Sequence, residues 1–138
     1  MIEFDVQRLL SDYADCLTRR SAHEFKKKYY HKIPSGLTLE EAVLGVPLPS
    51  AIDEVFDVYA NPSVEGIFLF PYKRGFEVFW AERAAKSPRW EFLELRTAVA
   101  AKVLLIFNEC GHLPPDVPDF VEYFKAIKLD PPLGDGRL

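Results

Sequence analysis

Apolar positions between residues 91 and 110 recur at steps of three and four, and a second apolar strip runs directly beside them. This periodicity predicts a helix, and so wide an apolar arc predicts that the helix packs on more than one side. Ser87 suits an N-cap, Pro88 the first helical position, and Gly111 the residue just past the C-terminus. The pattern therefore predicts one long central helix over residues 91–110.

Two runs rich in β-branched and aromatic residues, 67–70 and 76–80, flank a short turn and predict an antiparallel hairpin. Two strands are only marginally stable in water, so the hairpin must lie against helices or gain a third strand. Residues 90–95 are the alternative source of that strand, in which case the central helix begins near Arg96. We favour helix for this stretch, because Glu and Leu favour helix and the helix-start signal just before it agrees.

Capping signals and helical spacing predict further helices on both sides of the hairpin. They cover residues 4–20, residues 22–31, a short stretch opened by the Thr38/Glu41 capping box, a stretch opened at Ser50, and a last helix opened by residues 116–119. The last helix is predicted to bury Phe120, Val121, Phe124 and Ile127, with Tyr123 as a further candidate. The chain is thus predicted to be an α+β protein: a mainly helical single domain over residues 1–138, with a small antiparallel sheet on the central helix and a frayed tail at 133–138.

Composition limits the classes of protein that need be considered. A chain of 138 residues with 49% hydrophobic content can build a core without metal or disulfide support. Cys16 and Cys110 lie on apolar helix faces, which predicts small buried side chains, although a disulfide between them is possible. The N-terminus lacks a secretory pattern and Arg96 and Lys102 interrupt the longest apolar run, so we expect a cytoplasmic protein that does not span a membrane.

Charge is unevenly distributed along the chain, whose formal net charge is -4. Residues 33–72, which we call the acidic segment, contain no Lys or Arg. Residues 19–32 carry six basic side chains and one acidic one. An acidic surface of this kind attracts basic partners and steers their approach. The candidate partner-binding residues are Glu40, Glu41, Asp53, Glu54 and Asp57.

The basic segment, residues 19–32, offers an alternative function. Its lysines and arginines could contact phosphates while Tyr29 and Tyr30 stack on bases, as in a nucleic-acid-binding accessory protein. We favour a solvated helix face with inward-packed tyrosines, because the whole chain lacks the basic balance that is typical of nucleic-acid binders.

Cys110 and His112 are the candidates for a small hydrolase or a metal enzyme. A thiol beside an imidazole can act as a nucleophile with its base, but the negative end of a helix raises a thiol pKa, so we expect a core Cys beside an exposed His. A zinc site built from Cys16, Cys110 and one His is a further alternative. No phosphate-binding loop, dinucleotide fingerprint or zinc-protease motif occurs in the sequence, so we expect a non-enzymatic protein without a cofactor.

One local motif resembles a known family. The run Glu41-Ala42-Val43-Leu44-Gly45-Val46-Pro47-Leu48-Pro49, followed by Phe56, Tyr59 and Asn61, is similar to the opening motif of the SUKH superfamily. That superfamily includes many bacterial toxin-immunity proteins, and the resemblance therefore implies a toxin-neutralising role. The family pattern ends in Asn-Gly-Gly, whereas Pro62 and Ser63 follow Asn61 here.

Overall fold

The computed structural model describes residues 4–18, 22–44, 66–82, 85–117 and 119–127. Within them lie five helices, α1 (Val6–Thr18), α2 (Ala22–Tyr29), α3 (Leu39–Leu44), α4 (Leu95–Glu109) and α5 (Phe120–Ile127), and three strands, β1 (Gly66–Tyr72), β2 (Gly75–Glu82) and β3 (Ala85–Phe92). The predicted α+β class, with an antiparallel sheet on a long helix, is confirmed. Predictions for the helix opened at Ser50, for Asp53, Glu54 and Asp57, and for the tail fall outside the described residues.

Helices α1 and α2 form as the spacing predicts. Asp5 begins α1, because its Oδ1 accepts a hydrogen bond from the backbone amide of Arg8 at 3.0 Å. The apolar side of α1 is buried at Val6, Leu9, Leu10, Tyr13 and Leu17. In α2 the rings of Phe25 and Tyr29 stack with their centroids 4.7 Å apart, which fixes the buried side of that helix.

Strands β1 and β2 form the predicted hairpin. The ladder runs from Gly66 opposite Ala81 to Tyr72 opposite Gly75, which leaves two residues in the turn. The first of them, Lys73, has a positive φ of 52°. The amide of Ile67, in β1, donates a hydrogen bond to the hydroxyl oxygen of Tyr13 at 2.9 Å, which ties this strand to α1.

The prediction that the central helix begins before residue 95 was wrong, and the alternative of a third strand is what the structure contains: β3 runs to Phe92, and α4 begins at Leu95. Strand β3 pairs antiparallel with β2 and lies at the edge of the three-stranded sheet that the described residues form. The register shifts between Phe79 and Ala81, so Ser87 and Pro88 occupy a β-bulge rather than a helix start. Proline is tolerated in an edge strand and at a bulge, because a missing amide proton costs little there.

Tertiary packing explains why strand prevailed over helix in this stretch. Alternation in β3 puts Trp90 and Phe92 on one face of the sheet, where both rings pack edge-on against Phe124 of α5. On the other face of the sheet, Arg89 lies opposite Phe79 of β2 and forms an ion pair with Glu77, also in β2. These contacts outweigh a helix propensity that amounts to a few tenths of a kcal/mol per residue.

Helix α4 is the centre of the core. Each of residues 98–107 is buried, including Lys102, and the helix packs against all three strands and against α3 and α5. The predicted packing on more than one side is therefore confirmed. The helix ends at Glu109, and Gly111, predicted to lie just past its C-terminus, adopts a φ of 74°.

Helix α5 departs from its predicted pattern at one position. Asp119 begins the helix by accepting a hydrogen bond from the amide of Val121 at 3.0 Å, and Phe124 is fully enclosed. Val121, however, is 46% exposed, so its predicted burial was wrong. Phe124 packs against Trp90 and Phe92, whereas Val121, in the first turn of this eight-residue helix, keeps nearly half of its surface in solvent. The predicted burial of Phe120 and Ile127 falls outside the described side chains.

Cys110 is buried as expected, whereas Cys16 is half-buried, and neither cysteine forms a disulfide. Among the helices in the described part of the chain, none has the length and apolar character needed to cross a bilayer.

Candidate functional site

The short helix α3 begins at the predicted capping box. The amide of Thr38 donates a hydrogen bond to Glu41 Oε1 at 3.1 Å, and the amide of Glu41 donates to Thr38 Oγ1 at 3.1 Å. The Thr38 hydroxyl also donates to the same carboxylate at 3.0 Å. This reciprocal pattern satisfies two amides at the start of the helix, so the Glu41 carboxylate has a structural task.

Two residues that are distant in the sequence hold the ends of α3. Asp116 Oδ1 accepts a hydrogen bond from the amide of Leu39 at 3.0 Å, at the N-terminal end. Arg96, near the start of α4, donates from its Nη1 to the carbonyl oxygen of Val43 at 3.0 Å, at the C-terminal end. A carboxylate at the first turn and a guanidinium at the last both complement the helix dipole.

These contacts create a groove between α3, α4 and the region around α5, which we call the α3 groove. Its volume is about 360 Å³. Its walls are formed by Leu39, Glu40, Val43, Leu44, Arg96, Ala100, Asp116 and Tyr123. The α3 groove therefore combines an apolar floor with charged side chains at its rim.

The rim of the α3 groove carries two carboxylates, Glu40 and Asp116, and one guanidinium, Arg96, so its formal charge is negative. Burial and the nearby charge of Asp116 raise the pKa of Tyr123, which keeps its phenol protonated and able to donate. Beside the groove, Leu44 is 68% exposed. A surface that is acidic, aromatic and partly apolar is suited to a basic side chain with an aliphatic stem.

The structure brings one predicted partner-binding residue into this groove. Glu40 is exposed at the rim, whereas Glu41 points its carboxylate at the capping box. Asp53, Glu54 and Asp57 lie outside the described residues, and their prediction stays open. Sequence reasoning missed Arg96, Asp116 and Tyr123, because Asp116 and Leu39 are 77 residues apart and no local pattern links them.

The basic segment is partly neutralised by neighbouring acids. Lys26 lies 3.4 Å from Glu109, and Lys28 lies 3.3 Å from Asp12. Tyr29 is buried, as predicted. Tyr30 is 62% exposed, so the inward packing predicted for this second tyrosine was wrong.

Tyr29 and Lys28 converge on Asp12 in a second groove, between α1 and α2. The Tyr29 hydroxyl donates a hydrogen bond to the Asp12 carboxylate, and this bond, with help from Lys28, lowers the pKa of Asp12. Burial and the same hydrogen bond raise the pKa of Tyr29. At neutral pH the carboxylate of Asp12 therefore stays charged and the phenol of Tyr29 stays neutral, which suits a structural contact between α1 and α2.

Cys110 and His112 lie at the C-terminal end of α4 in surroundings that do not activate a thiol. Burial, followed by the charge of Glu109, raises the pKa of Cys110 to about 11. A reactive cysteine requires the thiolate, which this site disfavours at neutral pH.

His112 instead completes the end of the helix. Its amide donates to the carbonyl oxygen of Phe107 at 2.9 Å while the amide of Gly111 donates to Asn108 at 3.0 Å, a Schellman arrangement. The imidazole meets the Phe107 ring edge-on at 5.6 Å. Its Nε2 is buried and has no hydrogen-bond partner in the described part of the chain.

Burial lowers the pKa of His112, so the neutral imidazole is the favoured form. The expectation that this residue is exposed was wrong, because its side chain is half-buried against Phe107. Because the folded pKa lies below the unfolded value of about 6.5, this group contributes stability above that pH, and the contribution is lost as the pH falls.

Within residues 4–18, 22–44, 66–82, 85–117 and 119–127, no three His, Cys, Asp or Glu side chains come together as a metal site. A comparison of the chain with protein families, with curated proteins and with solved structures finds no match. The resemblance to the SUKH superfamily therefore stays a prediction, and the geometry of the described residues carries the functional argument.

Proposed function

We propose that the protein is a non-enzymatic binding protein whose acidic surface engages a basic protein partner in the cytoplasm. A bacterial immunity protein that neutralises a nuclease-like toxin domain is the concrete form of this proposal. Basic clefts bind nucleic acid in such toxins, and an acidic surface is complementary to them. The resemblance of the segment that begins at Glu41 to the SUKH motif points the same way.

The observation that carries the proposal is the placement of Glu40. Its carboxylate is exposed at the rim of a groove that also contains Asp116, and exposed Leu44 adjoins it. An acidic rim beside exposed apolar surface is the usual composition of a protein-binding site, with charge for steering and apolar area for affinity.

The surroundings of the nucleophile candidate also support a binding role over catalysis. Cys110 is buried with its pKa raised to about 11, and the imidazole of His112 packs on a phenylalanine ring. A thiol and an imidazole arranged in this way contribute to the core and to the helix end.

The proposal is tested with the purified protein encoded by the reading frame next to this gene. Association of the two chains is followed by stopped-flow fluorescence at about 50 and 300 mM salt. Replacing Asp53, Glu54 and Asp57 together by their amides should slow association at least tenfold at low salt, because steering by charge accelerates encounter by about 10- to 1,000-fold. The wild-type rate should fall steeply as salt increases.

A matched control removes exposed carboxylates elsewhere. The double variant Glu24→Gln/Glu122→Gln changes charge on α2 and α5, and its association rate should stay within about twofold of wild type, because neither residue belongs to the stretch 33–72 that lacks Lys and Arg. Failure of the wild-type chain to bind the neighbouring protein, or an association rate independent of salt and of the triple variant, would remove the proposal.

A further inference from the structure

We propose that the α3 groove receives a lysine or arginine side chain of the protein partner, flanked in the partner by apolar residues. This inference rests on the proposed function and adds to it a specific contact point. It also assigns roles to Asp116 and Tyr123, which lie far from the acidic segment in the sequence.

The charges at the rim favour a cationic occupant. Glu40 and Asp116 contribute two carboxylates to the groove, against one guanidinium. That guanidinium, from Arg96, donates to the carbonyl oxygen of Val43 at 3.0 Å and keeps its charge, so the excess in the groove is one negative charge. Asp116 Oδ1 accepts from the amide of Leu39, but its negative charge persists and a carboxylate can accept several further hydrogen bonds.

The walls of the groove suit the aliphatic stem of such a side chain. Leu39, Val43 and Ala100 form apolar lining, and the half-buried ring of Tyr123 faces the same space. Lysine and arginine bury their methylene groups against surfaces of this kind while the charged head stays near water or a carboxylate. Leu44, 68% exposed beside the groove, provides contact area for an apolar neighbour of the inserted residue.

The geometry of α3 explains why the site is ready for an occupant. The helix is bonded to Asp116 at its N-terminal end and to Arg96 at its C-terminal end, so this wall of the groove is held at both ends without an occupant. A preformed wall reduces the ordering cost of association. A polar occupant without charge would lose hydration at the rim and gain only weak contacts in return.

A short peptide probes the groove without the natural partner. The blocked peptide acetyl-Leu-Arg-Leu-amide is titrated into the ¹⁵N-labelled protein, and the amide shifts of Leu39, Leu44 and Arg96 are followed. The matched peptide contains citrulline, which keeps the shape of arginine but lacks its charge. We expect the arginine peptide to shift these amides and the citrulline peptide to bind at least about threefold more weakly, as for partly exposed ion pairs.

Two substitutions remove charge while preserving structure. Glu40→Gln and Asp116→Asn together should lower the affinity for the arginine peptide about five- to tenfold, as for two partly exposed ion pairs. The asparagine side chain retains an oxygen that can accept the hydrogen bond from the amide of Leu39, so the fold should persist, which the urea midpoint verifies. Glu122→Gln, on the exposed side of α5, is the control and should leave the peptide affinity unchanged.

The outcomes separate this inference from the proposed function. Equal binding of the two peptides, or no shift at the groove, would overturn the inference. If the groove variant associates with the neighbouring protein as fast and as tightly as wild type while the variant of Asp53, Glu54 and Asp57 is slowed, the inference fails and the proposed function stands. If the arginine peptide binds the groove as described but the neighbouring protein does not bind at all, the proposed function fails in that form.

Discussion

Replacing Arg89 with Met should destabilise the protein strongly, because it deprives a buried carboxylate of its guanidinium partner. Glu77 is 3% exposed, and its Oε2 accepts a hydrogen bond from Arg89 Nε at 2.6 Å. The guanidinium also lies over the Tyr72 ring at 4.5 Å. Breaking a buried ion pair on one side costs about 3–5 kcal/mol. Since 33% of the Arg89 side chain is exposed, water can reach the site, and Glu77 has a further interaction besides Arg89, so we expect the lower end, about 3 kcal/mol.

Urea unfolding followed by circular dichroism measures this loss. With a slope of about 2 kcal/mol per molar urea, the midpoint should fall by about 1.5 M. The double variant Glu77→Leu/Arg89→Met removes both charges and should recover most of the lost stability, because apolar replacements of buried pairs are often neutral. Arg74→Met, at an exposed arginine of the turn, should cost less than about 0.5 kcal/mol. A loss below about 1 kcal/mol for Arg89→Met, or a double variant no more stable than the single one, would refute this reasoning.

Three further predictions concern the helix ends and the hairpin. His112→Phe should keep the ring contact with Phe107 and flatten the loss of stability that wild type shows between about pH 7 and 5, measured as urea midpoints; an unchanged pH profile would contradict the sign derived for this imidazole. Thr38→Ala should lower the free energy of unfolding by about 1 kcal/mol, and calorimetry that shows no loss would argue against the capping box. Gly75→Ala should cost about 1–3 kcal/mol, since a Cβ there would lie 2.3 Å from the Phe92 carbonyl oxygen; wild-type thermal stability would exclude that clash.

The elements whose signals are local were predictable from the sequence. The capping box at Thr38, the hairpin and the glycine at the end of α4 each depend on residues close together in the chain, and the structure contains all three. The helix start predicted at Ser87 and Pro88 was wrong because contacts distant in the sequence decide the conformation of these two residues. As a pair they match a helix start, but the sheet register places them in a bulge, and register depends on contacts with β2 and α5.

The candidate site was predictable only in part. The lack of basic residues around Glu40 drew attention to the acidic segment, and the structure places this carboxylate at a groove. Asp116 and Arg96 gave no such signal, because each reaches α3 from a different part of the chain. In the sequence, Asp116 lies among the residues predicted to open the last helix, and Arg96 only interrupts an apolar run. Only the three-dimensional arrangement joins them.

The outer strands of the sheet have a consequence for how this protein can meet other chains. The amide of Ile67 in β1 is already bonded to the Tyr13 oxygen, and β3 carries Pro88 at a bulge. An extended segment that adds to β1 would find the Ile67 amide already bonded, and one that adds to β3 would meet a proline, which has no amide proton. Edge-to-edge association of copies of this chain through the sheet is therefore hindered. Recognition through helix side chains, which can differ from one partner to the next, meets neither obstacle.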